Sequence, residues 1–136
     1  MRILFPVAAV LLLGACASSI PAPEAGDARI EMKPRPGELL MAERLDGKRL
    51  SDGRYFEVKP GAHHLQISYR YELSSDQLAT RDRRDRVCYI ELNYDNFRAG
   101  QDYQLVATDS DMQAKVWLID AKGKRVAEGH GATCGY

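Results

Sequence analysis

The sequence has no excess of either charge, only three cysteines, a single tryptophan, and no long apolar run beyond its first residues. Lysine plus arginine and aspartate plus glutamate each total 19, so no overall field favours nucleic acid or an acidic substrate. The chain has 136 residues, which is enough for one small domain. These counts predict a small globular domain that does not bind nucleic acid.

The sequence also lacks the motifs of several enzyme classes. It contains no G-x-S-x-G elbow, no H-E-x-x-H, no phosphate-cradling glycine loop and no carboxylate pair placed for glycoside hydrolysis. Neighbours on a strand point to opposite faces, so His63 and His64 are not expected to share an ion, and nothing fixes His130 near them. We expect His63 to be partly buried and bonded to backbone, and His64 to be exposed. No catalytic residue, metal site or cofactor is predicted.

The dominant positive signal is alternation along residues 54–73. Apolar side chains at 65, 67, 69, 71 and 73 alternate with polar ones, which is typical of a half-buried strand. A second strand-forming run precedes Lys59-Pro60-Gly61, so the stretch predicts a β-hairpin that turns at these three residues.

Turn signals divide the rest of the chain into short strands. Asp46-Gly47 and Asp120-Ala121-Lys122-Gly123 are tight-turn sequences. The prolines at 34 and 36 predict an edge position for the strand before them. The glycines at 129, 131 and 135 predict a loose tail. Further strands are expected at 29–33, 38–45, 48–50, 86–94, 102–107, 114–119 and 124–127, although helix competes for 38–45.

This spacing predicts an all-β fold, a small antiparallel β-sandwich of about seven or eight strands. It would occupy residues 29–136. The segment 16–28 is rich in small residues and proline, and it predicts a flexible tether.

The N-terminal segment, residues 1–15, has the layout of a secretory signal. Arg2 precedes an apolar run that is too short for the ~20 residues of a spanning helix. Leu13-Gly14-Ala15-Cys16 resembles the bacterial lipobox. That resemblance implies cleavage before Cys16, acylation of Cys16 and anchoring in the lipid bilayer. The alternative is a plain signal peptide in which Cys16 is incidental.

Ala17 and Ser18 follow the cysteine, with no aspartate to signal retention in the inner membrane. By the same resemblance, the expected location is the outer membrane, on its periplasmic face.

The other two cysteines form an even pair in an oxidising compartment. A disulfide between Cys88 and Cys134 is therefore the expected state. Closing a loop of about 47 residues stabilises by roughly 4 kcal/mol in the chain-entropy model. A zinc site or a catalytic thiol is the alternative, but it needs more ligands than this spacing offers.

A second resemblance rests on Asp46-Gly47-Lys48 followed by Pro60-Gly61-x-His63-x-Leu65. This pattern resembles the PEGA-type module, a small β-sandwich of envelope and surface proteins. The run from Phe97 through Tyr103 to Trp117 and Gly123 is similar to uncharacterised proteobacterial lipoproteins, although Gln101 stands where histidine is usual. The resemblance implies a sandwich fold and an envelope address. It implies no reaction.

Two features are candidates for contact with a partner. Residues 74–86 lack a hydrophobic repeat and predict a loop whose arginines are Arg81, Arg83, Arg84 and Arg86. In residues 114–119 both faces are apolar, so Trp117 lies either under a second cover or on a docking patch. Flat rings that suit a sugar- or protein-binding face occur at Tyr55, Tyr89, Tyr94, Trp117 and Tyr136.

These features predict a non-catalytic binding or structural module, anchored in the outer membrane, whose partner is an envelope protein or the cell wall. The alternative is a periplasmic inhibitor or accessory factor that uses the arginine-rich loop, residues 77–86, against an acidic cleft.

Overall fold

The computed structural model describes residues 18–73, 84–110 and 113–135. Within this part of the chain no helix has the length and apolar character needed to cross a bilayer. The strands are β1 (Ala28–Lys33), β2 (Leu39–Leu45), β3 (Lys48–Arg49), β4 (Tyr55–Val58), β5 (Gly61–Leu73), β6 (Arg84–Phe97), β7 (Asp102–Thr108), β8 (Lys115–Ile119), β9 (Arg125–Glu128) and β10 (His130–Gly135).

The strands form two five-stranded sheets. The first sheet has the order β4-β1-β7-β8-β9, and the second has the order β10-β6-β5-β2-β3. Strands β1 and β7 are parallel, and every other pair is antiparallel. The predicted all-β sandwich is confirmed, with ten strands in the described residues where about seven or eight were expected.

The core lies between the two sheets and takes alternate residues from each. On β5, Leu65, Ile67, Tyr69, Tyr71 and Leu73 are at most 1 % exposed, as the alternation predicts. Fully burying an apolar side chain of this size is worth about 1.5–3 kcal/mol. From the first sheet, the residues packed into this core include Ile30, Phe56, Val58, Leu105, Val116 and Leu118.

The predicted hairpin over residues 54–73 is wrong. Strand β4 pairs with β1 in the first sheet, whereas β5 pairs with β2 and β6 in the second. Lys59 and Pro60 therefore connect the two sheets across the end of the sandwich. Alternation is the same for a strand in either sheet, because it reports only which face is buried.

The predicted edge position of the first strand is also wrong. Strand β1 lies between β4 and β7, and Ala28 and Ile30 are fully buried. Proline cannot donate to a ladder, but Pro34 follows the end of β1, so its missing N–H removes no bond inside the strand.

The C-terminal tail is a strand, not a loose end. Strand β10 pairs with β6 and places Cys134 directly opposite Cys88. The predicted loop over residues 74–86 fails at its end, because Arg84 and Arg86 belong to β6, with Arg84 opposite Leu73. Its remainder, residues 74–83, lies outside the described residues.

The segment before β1 runs along the domain from one end to the other. The Ser18 carbonyl accepts a hydrogen bond from Arg54 Nη1 at 2.6 Å, and the Pro21 carbonyl accepts one from Arg29 Nη2 at 2.6 Å. Glu24 then lies 3.6 Å from Lys59 Nζ. Ala28, which was expected in the tether, is buried at the start of β1.

This path defines two ends of the sandwich. The Ser18 end contains Arg54, the connections at 34–38 and 50–54, and the described residues 109–110 and 113–114. The Asp120 end contains the connections at 59–60, 98–101 and 120–124. A six-residue strand such as β1 separates them by about 20 Å.

Candidate binding groove

A groove opens at the Asp120 end, between the β6–β7 connection and the β8–β9 hairpin. Its volume is about 410 Å³, within the range of small-molecule sites. We call it the end groove. It is lined by Tyr94, Asn96, Arg98, Gln101, Tyr103, Asp120, Ala121, Lys122, Lys124 and Val126. A second cavity of about 430 Å³ shares Tyr103, Asp120 and Ala121 with it.

The hairpin wall is shaped by Asp120. Its Oδ1 accepts hydrogen bonds from the backbone N–H groups of Lys122 and Lys124, both at 2.9 Å. Gly123 has a φ of 80°, a conformation that costs a residue with a side chain more than glycine. The predicted turn at 120–123 is confirmed, and it brings both lysines to the mouth of the groove.

Two of the lining residues, Tyr94 and Tyr103, pack against the buried Phe97 in a cluster of three aromatic rings. Phe97 meets Tyr94 and Tyr103 edge to face, with centroids 4.9 and 5.1 Å away. Tyr103 is 3 % exposed, and its hydroxyl accepts a hydrogen bond from the Arg98 backbone N–H at 3.0 Å. Tyr94 is half-buried, so its ring is the most solvent-exposed of the three. Both lining rings are therefore held by contacts with Phe97.

Positive charge dominates the groove. Arg98, Lys122 and Lys124 contribute three cations, and within the described residues no carboxylate lies within 4.0 Å of their side-chain nitrogens. The single lining acid, Asp120, already accepts two backbone hydrogen bonds. Burial raises the pKa of Tyr94, so its hydroxyl stays neutral at physiological pH. The groove is thus suited to an anion.

A polar row crosses the outer face of the second sheet. His64 contacts the Asn93 Oδ1 at 2.5 Å and Glu91 Oε2 at 2.5 Å through its two ring nitrogens. Asn93 Nδ2 lies 3.0 Å from His130 Nε2, and Gln66 donates to Glu91 at 2.8 Å. No sequence pattern places His130 near His64, yet the pairing of β10 with β6 brings both to Asn93.

The pKa of His64 follows from this row. The hydrogen bond to Asn93, and then the Glu91 carboxylate, raise the pKa of the ring above its ordinary value, while partial burial opposes them. The negative charge of the Glu91 carboxylate favours the protonated form of the ring. His64 is half-buried, so its expected exposure was only partly right.

His63 has the structural role that the sequence predicts. Its side chain is 14 % exposed, and its ring nitrogens lie 2.6 Å from Asp46 Oδ2 and 2.6 Å from the Lys59 carbonyl. It therefore ties the β2–β3 turn to the crossing between sheets. Burial opposes ionisation of Asp46, but the bonds from the His64 N–H and His63 outweigh it and lower the pKa of Asp46.

Trp117 lies on the outer face of the first sheet, on an internal strand. Its neighbours Val116 and Leu118 are fully buried, whereas Trp117 is half-buried and opposite Val106. The Arg125 guanidinium carbon lies 4.1 Å from the centroid of the indole ring. The outer face of the first sheet at Trp117 is therefore partly covered by the Arg125 side chain, which stacks on the indole ring. Within the described part of the chain, it is neither an open docking patch nor covered by a second layer of structure.

Some of the other predicted site residues lie within the described residues and some lie outside them. Cys88 and Cys134 form a disulfide with an S–S distance of 2.08 Å. Arg84 is exposed at the start of β6, and Arg86 is half-buried. Cys16, Arg81, Arg83 and Tyr136 lie outside the described residues. The structure does not bring Arg84 near Trp117, which lies on the other sheet.

One acidic cluster has metal-compatible spacing. Glu24, Asp27 and Glu57 place their oxygens within 4.8 Å of one another. Lys59 Nζ lies 3.1 Å from Asp27, and Arg29 Nη2 lies 3.2 Å from Glu57. Each of the three carboxylates already lies within 4.0 Å of one of these two cations, so the cluster is an ion-pair network that holds the leading segment to β1 and β4.

The end groove is the feature that sequence reasoning missed. Its residues come from 94–103 and 120–126. The pairing of β7 with β8 and the packing of β6 against β9 bring these two ranges together. The signal available was the clustering of Lys122 and Lys124 around a tight turn. Comparisons with known proteins found no family model, no curated protein and no solved structure that matches this chain.

Proposed function

We propose that this chain is an outer-membrane-anchored periplasmic lipoprotein that works as a non-catalytic binding module of the cell envelope. The observation that carries the proposal is the path of the leading segment. It starts at the Ser18 end, whereas the end groove lies at the Asp120 end.

The path sets the direction in which the groove faces. Cys16, the residue that the lipobox resemblance implies is acylated, precedes Ser18 by two positions. Acyl chains on Cys16 would hold the Ser18 end at the bilayer, since each buried methylene contributes about 0.8 kcal/mol. The end groove then lies about 20 Å further out and faces the periplasm.

The histidines support a non-catalytic role. A general base needs a free ring nitrogen beside a nucleophile. Both ring nitrogens of His63 and both of His64 already have protein partners. The residues that line the end groove include no serine, cysteine or histidine.

The anchor is tested by labelling cells with a palmitate analogue and separating their membranes. The wild-type chain should carry label and sediment with the outer membrane, whereas Cys16→Ser should carry none and appear in the soluble periplasmic fraction. Label on the Cys16→Ser chain, or a wild-type chain found in the cytosol, would overturn the anchored role.

The orientation is tested with a photo-crosslinking residue at position 122 or at position 52 in intact cells. Position 122, at the end groove, should crosslink to the cell wall or to an envelope protein. Position 52, at the Ser18 end, should crosslink to lipid. Exchange of these two patterns would contradict the proposal.

The inhibitor alternative stays a prediction, and the same cells test it. Arg83→Ala with Arg84→Ala should abolish partner capture if the arginine-rich loop makes the contact. Capture that survives this double variant but fails in Lys122→Ala with Lys124→Ala would assign the contact to the end groove.

A further inference from the structure

We infer that the end groove binds a saccharide that bears a carboxylate. This inference deepens the proposed function, on which it rests, by naming the chemistry of the ligand.

The three cations surround the groove from two separate elements. Arg98 comes from the β6–β7 connection, and Lys122 and Lys124 come from the β8–β9 hairpin. A carboxylate between these elements would receive charge-assisted hydrogen bonds from both sides, and such bonds are about twice as strong as neutral ones. Arg98 can also bind a carboxylate through two parallel N–H groups.

The rest of the lining suits hydroxyl groups and one sugar ring face. Asn96 and Gln101 each offer an amide donor and an amide acceptor. Within the described residues neither side chain has a hydrogen-bonding partner. Tyr94 adds a half-buried aromatic ring held by Phe97. Cation, amide and one aromatic face together match a charged sugar.

A peptide fits this groove less well. An extended peptide is usually held along an unpaired sheet edge. The groove is lined mainly by the connections at 98–101 and 120–124, and Val126 is its one lining residue from the edge strand β9. Apolar pockets for alternating side chains are small here, since the aliphatic lining consists of Ala121 and Val126. Its volume, about 410 Å³, is that of a site for a small molecule or a short glycan segment.

The experiment measures binding of trigalacturonate, a uronic-acid trisaccharide, to the full chain in uncharged detergent micelles by titration calorimetry. Trigalacturonate should bind, and added salt should weaken it because the contacts are ionic. Uncharged chitotriose should not bind measurably. Equal binding of the two sugars, or no binding of trigalacturonate, would overturn the inference.

Three variants locate the site. Lys122→Ala with Lys124→Ala should weaken trigalacturonate binding by about tenfold or more, and so should Arg98→Ala. Arg98→Ala keeps the backbone N–H that binds Tyr103, so it serves if the lysine variant fails to fold. The matched control, Lys48→Ala with Arg49→Ala, removes two exposed cations on β3 and should leave binding unchanged.

Two competing ligands complete the test. A tripeptide with a free C-terminal carboxylate, or inorganic phosphate, that binds more tightly than trigalacturonate and depends on Arg98 would overturn the saccharide assignment. The anchored binding role would survive that result, because Cys16 labelling and crosslinking from position 122 test it independently. If the Cys16 label is absent but trigalacturonate still binds, the saccharide assignment survives and the anchored role fails.

Discussion

At the scale of single residues, side chains that alternate along one strand have unrelated roles. On β5, His63 ties two turns together, His64 joins a polar row, and Leu65 is in the core. The difference arises from the faces on which they lie and from the neighbouring strands that provide their partners.

The titration of His64 gives a prediction at this scale. We expect its pKa in the folded chain to lie above about 6.5, the ordinary value. Glu91→Gln removes a carboxylate that stabilises the imidazolium and should lower that pKa. NMR titration of the imidazole signals measures it, and Asp95→Asn, the loss of an exposed acid on the same strand, is the control.

The raised pKa of His64 also predicts how the stability of the fold changes with pH. A pKa raised by folding contributes stability that is complete below the unfolded pKa and is lost as pH rises through the folded value. The advantage of the wild type over His64→Gln should therefore be largest near pH 5 and should fall above about pH 6.5. Urea unfolding at several pH values tests this. A stability difference between the wild type and His64→Gln that grows with pH would contradict a stabilising role for the contacts of His64 with Asn93 and Glu91.

Asp52 gives a second residue-scale prediction with the opposite sign. The side-chain hydrogen bonds of Arg54 lower its pKa to about 2. Its contribution to stability is present above its unfolded pKa, about 3.9, and is lost as pH falls through the folded value. In Arg54→Ala the NMR-measured pKa should return toward 3.9, and a value that stays near 2 would show that Arg54 is not the cause.

At the scale of elements, the crossing from β9 to β10 transfers the chain from the first sheet to the second. Gly129 makes the crossing, and its N–H donates to the Val116 carbonyl at 2.8 Å. A Cβ built there would lie 2.6 Å from Ile90 Cγ2, inside the core. The glycine at this crossing is required by close packing.

Gly129→Ala should therefore destabilise the fold by about 1–3 kcal/mol, the usual cost of an overpacked core. Gly135→Ala in the same tail is the matched control, because no atom lies within 4 Å of its added Cβ. Thermal unfolding measures the difference. Equal melting temperatures for the two variants would mean that Ile90 moves aside without cost.

The disulfide is the second feature that holds β10 in place. Cys134→Ser should lower the free energy of unfolding by about 2–5 kcal/mol, because the unfolded chain is no longer cross-linked. Hydrogen exchange should show the largest loss of protection in β10 and in the paired part of β6. A uniform loss across both sheets would contradict this local role.

At the scale of the whole molecule, the two sheets share one core. Leu118 and Ile119 are neighbours on β8, but Leu118 is fully buried and Ile119 is half-buried on the outer face. Leu118→Ala should cost about 2–5 kcal/mol, and Ile119→Ala much less. A similar cost for both would indicate that the outer face of the first sheet is covered.

The shared core also predicts cooperative unfolding. In Leu118→Ala, far-UV circular dichroism and tyrosine fluorescence should report the same midpoint, although the substitution is in the first sheet and most core tyrosines are in the second. Separate midpoints would show that the sheets unfold independently.

The sequence by itself determined most of the strands, the tight turns and the buried faces, but not the strand β10. The alternation at 65–73, the turns at 46–47 and 120–123, and the pairing of Cys88 with Cys134 follow from local chemistry: period-two burial, backbone conformations that suit glycine, and an even cysteine count. Each of these signals lies within a few residues or depends on residue type alone.

Only the tertiary structure decided which strands are neighbours. Backbone hydrogen bonds between strands depend little on side-chain identity. The alternation of apolar and polar residues in β4 and β5 is therefore compatible with a hairpin and also with a crossing between sheets. The placement of β1 inside its sheet, the contact of both His64 and His130 with Asn93, and the end groove all depend on that choice. The groove in particular unites residues 94–103 and 120–126 through the pairing of β7 with β8 and the packing of β6 against β9, contacts that local patterns do not encode.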